Sequence, residues 1–140
     1  MISVYVTGGN RKEKELIEKV AHWNIKKLMP RIRNLEIEIS IKNLNGIYGD
    51  VMMADNPREY EMRLQRGMKL YDLVSTVCHE MVHVKQYVRG ELSETGHRWK
   101  SRTMPSDGLD YMDRPWEKEA FRMEEKLALE CFKEIAFTLK

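Results

Sequence analysis

Hydrophobic and polar positions change period several times along the chain, and each change marks an element. In ISVYVT the apolar Ile2, Val4 and Val6 share one face, which predicts a strand, and the Gly8-Gly9-Asn10 turn releases the chain into a helix. Over 12–29, Leu16, Ile17, Val20, Trp23 and Leu28 recur at helical spacing, and Pro30 ends the run. LEIEISIK alternates without a fault, with Leu35, Ile37, Ile39 and Ile41 on one side and Glu36, Glu38, Ser40 and Lys42 on the other. The Asn45-Gly46 pair that follows reads as a hairpin turn, so a small, half-buried antiparallel sheet is expected. GDVMMAD and, beyond the Asn56-Pro57 turn, EYEMRLQ with Tyr60, Met62 and Leu64 alternating add two more strands. Helical spacing returns over 69–89 and stops at Gly90, 91–112 is polar and irregular, and Pro115 opens a last helix that runs almost to Lys140. The order β-α-β-β-β-α-loop-α predicts an α+β fold, with 1–140 as a single domain long enough to build its own core.

Charge and cysteine content narrow the function classes. With 24 basic and 22 acidic side chains the net charge is +2, too balanced to argue for a nucleic-acid partner or a membrane surface. No apolar run of 18 residues and no leader pattern at Met1 is present, so a cytoplasmic protein with no membrane partner is expected. Cys78 and Cys131 fall in predicted helices and form no CxxC pair, which favours two small core side chains over a disulfide or a cysteine-rich metal knuckle.

The second predicted helix carries the chemistry, in CHEMVHVKQY. At 100° per residue, Leu70, Val74, Val77, Met81, Val84 and Val88 form one apolar stripe, while His79 and His83 lie on the other side, one turn apart. Two imidazoles four residues apart can reach one zinc ion, and Glu80 between them is angled to meet a water beside the metal, as a general base. Two surface histidines flanking a solvated glutamate would read the same way. A catalytic zinc takes three protein ligands, and the candidates for the third are Glu117 in RPWEKEAF and His97 in TGHRWK. On the last helix Ala120, Phe121, Met123, Leu127, Ala128, Cys131, Phe132 and Ile135 define the apolar face; Glu117 projects near its middle, Glu124 shares it, and Glu119 points to the polar side. An inward carboxylate needs a partner, and a shared zinc would provide one; a first-turn carboxylate stabilised by the helix N-terminus is the plainer alternative. His22 reads as a surface side chain of the first helix.

Taken together, HEMVHVKQY, Trp99-Lys100, Tyr111 and PWEKEA resemble a group of small phage and bacterial metallopeptidases with the pattern HExxHxxQY, WK and PWExEA, over residues 70 to 125. HExxH followed by a later ExEA helix is similar to the gluzincin zinc peptidases, and that resemblance implies a zincin-like fold and makes Glu117 the third ligand beside His79 and His83. The wider gluzincin pattern often has an aspartate four after the ligand glutamate; Phe121 stands there, which leaves Glu124 to support a histidine. HEMVH with GHRWK is also similar to the SprT-like proteases, whose third ligand would correspond to His97. Either resemblance implies a zinc metallopeptidase acting on a protein or peptide substrate, with Glu80 as general base. An oxyanion donor would come from His97, Arg98, Tyr111 or Arg114, with Tyr111 preferred. GDVMMAD is the strand expected to hold substrate backbone. A zinc-stabilised binding module without activity is the non-enzyme alternative.

Overall fold

The computed structural model describes residues 1–104 and 109–138; positions 105–108, in the stretch expected to be irregular, and 139–140, where the last helix was expected to end, lie outside the described residues. Elements follow in the order β1 (Ile2–Thr7), α1 (Arg11–Leu28), β2 (Leu35–Lys42), β3 (Gly49–Met53), β4 (Glu59–Gln65), α2 (Leu70–Val88), β5 (Arg98–Trp99), β6 (Arg102–Thr103), a 3₁₀ turn at Tyr111–Asp113 and α3 (Pro115–Thr138). The fold is α+β. None of the described helices is long and apolar enough to cross a membrane.

The main sheet has the order β1-β2-β4-β3, and it is mixed where an antiparallel one was expected. β1 and β4 both run parallel to β2, and β3 pairs antiparallel with β4. Asn45 and Gly46 do form a local turn, with φ of 53° and 108°, but the strands it separates are not neighbours. The physical reason lies in the side chains. Tyr60, Met62 and Leu64 of β4 give a wholly buried stripe that matches Ile37, Ile39 and Ile41 of β2, each such side chain contributing about 1.5–3 kcal/mol by leaving water. β3 offers only half-buried Val51 and Met53 with Met52 exposed, a pattern suited to an edge. The hairpin forms instead between β3 and β4 across Asn56-Pro57, where the Glu59 amide donates to the Asn56 carbonyl and the Arg58 amide to Asn56 Oδ1.

Helices α1 and α2 cover one face of the sheet, and α3 packs on α2 and α1 as a further layer. α1 starts with a capping box, in which the Asn10 side chain accepts from the Glu13 amide and Glu13 accepts from the Asn10 amide. Cys78 and Cys131 are free, fully buried thiols, as expected of core side chains. α2 is enclosed from Leu73 to Val84 because the sheet and α1 take one side and α3 takes the other. Its first residue, Leu70, expected in the apolar stripe, lies before that covered stretch and is 56% exposed.

Candidate metal centre

The side of α2 turned toward α3 buries a row of polar groups: Ser75, Thr76, His79, Glu80, His83 and Gln86. Spacing of three and four places them on successive turns of one face, so α2 delivers both imidazoles to the same point. The rings meet edge to face with centroids 5.0 Å apart. The first turn of α3 brings Glu117 to that point. A single oxygen, Glu117 Oε1, lies 3.0 Å from His79 Nε2 and 3.0 Å from His83 Nε2, and all three side chains are more than nine-tenths buried. Glu80 completes the group, with a carboxylate oxygen and the two imidazoles within 4.8 Å of one another. That set and the tighter one through Glu117 share both histidines. The 3.0 Å contacts make Glu117 the closer partner of the Nε2 atoms.

The outward-turned ring nitrogens are also engaged. His79 Nδ1 lies 3.2 Å from Glu124 Oε1, and His83 Nδ1 lies 2.8 Å from Gln86 Oε1. Each imidazole therefore has an acceptor at both nitrogens, and without a metal it needs two protons to satisfy them. Burial alone would lower the His79 pKa, but its hydrogen bonds to Glu117 and Glu124 outweigh burial and hold it at about 9. His83 is raised in the same way, burial being overcome by Glu117 and Glu80. Burial pushes Glu117 up, yet the two imidazoles outweigh it and hold the carboxyl at about 2. Glu80 is pushed up to about 7 by burial, only partly offset by the imidazoles.

This donor set fits a divalent cation. Two buried imidazolium ions on one carboxylate oxygen are the arrangement forced by protons; one dication presented to the same Nε2, Nε2 and Oε1 atoms supplies equal positive charge and leaves each Nδ1–H with its acceptor. His79, His83 and Glu117 are the residues that would hold it. Two nitrogens and one carboxylate oxygen make a three-ligand set compatible with zinc.

A cavity of about 360 Å³ opens beside the cluster, lined by Ile47, Tyr48, Gly49, Thr76, His79, Glu80, Tyr111, Phe121 and Glu124. Gly49, at the start of β3, makes this approach possible: a Cβ there would fall 2.8 Å from the Arg63 carbonyl oxygen and 2.9 Å from Thr76 Cγ2. β3 thus runs against α2 as the outer strand of the sheet beside the cavity. Tyr111 stands in the cavity wall, its ring edge-to-face with Phe121 at 6.2 Å. Burial, then the charge of and hydrogen bond to Glu117, push its phenol upward, so the hydroxyl keeps its proton at neutral pH. Phe121 sets its ring 4.7 Å from that of His79. A second cavity, about 580 Å³, lies at the C-terminal ends of α1 and α2, bordered by Arg31, Arg33, Arg58 and Arg89, with no histidine, acid or thiol in its wall.

Of the expected site residues, His79, Glu80, His83, Glu117 and Tyr111 are brought together, and Glu124 is at His79. His97 is exposed, just before β5, and His22 is exposed on α1. Glu119, expected on the polar side of α3, is buried: the first turn of α3 meets α2, so Glu119 accepts from Gln86 Nε2 at 3.1 Å and from Lys85 Nζ at 3.0 Å. Gln86 was not among the expected site residues. Its position three residues after His83, on the same face of the helix, is the signal in the sequence that could have found it. Compared with known proteins, the chain matches no family model, no curated protein and no solved structure.

Proposed function

We propose that the protein is a zinc-dependent peptidase, with His79, His83 and Glu117 as metal ligands and Glu80 as general base. The observation that carries this reading is the convergence of His79 Nε2, His83 Nε2 and Glu117 Oε1 at 3.0 Å contacts, with both Nδ1 atoms already engaged. Zinc held by His79, His83 and Glu117 would supply Lewis acidity and would lower the pKa of a water toward about 7. The chain's own groups account for the rest. Glu80, buried beside the two imidazoles and titrating near neutrality, accepts a proton from the attacking water and returns it to the leaving amine. Tyr111, protonated and in the cavity wall, would turn its hydroxyl from Glu117 to donate to the oxygen of the scissile carbonyl as it gains negative charge. The outer edge of β3 offers unpaired backbone groups to an extended peptide, which would lie along the cavity with its carbonyl beside Glu80. The resemblance of HEMVHVKQY and PWEKEA to gluzincin peptidases supports the same assignment and favours Glu117 over the exposed His97 as third ligand.

The test separates binding from catalysis. The parent should bind about one zinc per chain and cleave members of a random peptide library in a chelator-sensitive way. Glu80→Gln should keep the zinc and lose at least ~10²-fold in hydrolysis, the scale of a lost general base. A zinc-loaded parent that cleaves nothing in the library, or a Glu80→Gln variant as active as the parent, sinks the peptidase reading and leaves a binding module.

A further inference from the structure

We propose that Gln86 is the positioning residue of His83, and that the buried carboxylate of Glu119 fixes Gln86 in that role. The inference rests on the reading of His83 as a metal ligand, and the hydrogen bonds that carry it belong to this chain alone. A primary amide has one accepting end and one donating end, and which end faces a neighbour is decided by the surrounding network. Gln86 is completely buried, and its Nε2 meets two acceptors, the Trp116 carbonyl at 3.0 Å and Glu119 Oε1 at 3.1 Å. Both amide protons are thereby used. Turning the amide over would set its oxygen against a carbonyl and a carboxylate, so Gln86 Oε1 must face His83 Nδ1, at 2.8 Å. An acceptor at that distance requires a proton on Nδ1, which leaves Nε2 to point at the metal position.

Glu119 is held in its turn. Lys85 Nζ lies 3.0 Å from Oε1, and Lys100 Nζ lies 3.5 Å from Oε2. The chain Lys85, Glu119, Gln86, His83 therefore runs from an ion pair to an imidazole, joining α2 to the first turn of α3. The two rings are oriented by unlike groups: His79 by the carboxylate of Glu124 directly, His83 by a neutral amide with a carboxylate one hydrogen bond further away. This separation has a physical motive. Glu80, Glu117 and Glu124 already crowd the centre with three carboxyl groups, and a fourth placed directly on His83 would add like charge, whereas a polarised amide orients the ring without it.

The experiment reads the imidazole proton and the metal separately. In the parent labelled with ¹⁵N-histidine, long-range ¹H–¹⁵N spectra should show a slowly exchanging proton on His83 Nδ1, both metal-free and zinc-loaded. Gln86→Met, which keeps length and loses both ends of the amide, should speed exchange of that proton at least about tenfold and weaken zinc(II) about 10–100-fold, with the His79 signals unchanged. The double variant Gln86→Glu with Glu119→Gln puts an acceptor back at His83 Nδ1 and a donor beside it, although it sets a carboxylate oxygen against the Trp116 carbonyl and like charge on the centre; it should restore slow exchange of the His83 proton and bind zinc more tightly than Gln86→Met without reaching the parent. A purely packing role predicts the opposite ranking, with Gln86→Met near the parent and the charged double variant impaired. That ranking, or a metal-free parent with no protected proton on His83 Nδ1, overturns the proposal. A parent that binds no zinc refutes the metal centre instead, and the exchange of the His83 proton in the metal-free parent and in Gln86→Met still decides the role of Gln86.

Discussion

Adding zinc(II) to the metal-free protein at pH 7 should release between one and two protons from the two imidazoles, with up to about half a proton more from Glu80, held at about 7. In the absence of metal, His79 and His83 each face acceptors at both ring nitrogens, so both rings carry two protons. Coordination through Nε2 displaces one from each. Glu117, held at about 2, is already ionised at neutral pH and contributes none. His79, held at about 9, is roughly 99% protonated at pH 7 and contributes about one proton, and His83, raised by the same partners, contributes the remainder. The sign follows directly. Raised imidazole pKa values favour the metal-free form at low pH, so zinc binds more tightly as pH rises. Each released imidazole proton changes the apparent Kd about tenfold per pH unit, or about 1.4 kcal/mol, so the two rings should lower the Kd about 10–100-fold from pH 6 to 7. His79 ceases to contribute above about 9, where the ring loses its proton unaided. Titration calorimetry at pH 7 in buffers of different ionisation enthalpy counts the protons as the slope of observed enthalpy against buffer enthalpy. A slope near zero, with a Kd unchanged between pH 6 and 7, would refute the claim that Glu117 holds two imidazolium ions.

Two further outcomes follow from the same geometry. Glu117→Ala removes the oxygen shared by both imidazoles and should weaken zinc on the order of 100-fold, while His97→Ala, in an exposed residue, should leave it within about threefold; calorimetry that ranks them the other way makes His97 the third ligand. Gly49→Ala pushes a methyl group against the Arg63 carbonyl and Thr76 Cγ2 and should lower stability by about 1–3 kcal/mol in denaturant unfolding, whereas an unchanged midpoint would mean that β3 is not clamped against α2.

The elements with one dominant period were the readable ones. β2 and β4 alternate cleanly and α2 has one apolar stripe, so their existence, type and approximate limits followed from side-chain spacing, as did the common face of His79 and His83. Sheet order was not readable in the same way. Asn45-Gly46 reports only a local reversal, whereas the neighbour of β2 is settled by which later strand buries the better stripe, a competition between segments distant in sequence. Glu119 shows the limit of a helical wheel, which assumes one packed side. The first turn of α3 meets α2 with a second side as well, and the polar residue there became internal by pairing with Lys85 and Gln86. Trp99 and Lys100 lay in a stretch too short of apolar pattern to predict the two-residue strands β5 and β6.

The contact between His83 and Glu117 spans 34 positions of the chain and so closes a large ring. The histidines belong to one helix and are neighbours as soon as that helix forms; Glu117 joins them only when α3 has docked. Bringing the ends of a flexible segment of that length together costs about 3 kcal/mol in chain entropy. A ligand that clasps both ends favours the closed ring by its affinity for the complete set over the two histidines alone. Under the proposed reading, an ion bound by His79, His83 and Glu117 would act as a latch between α2 and α3, and its affinity would set how firmly the last helix stays shut.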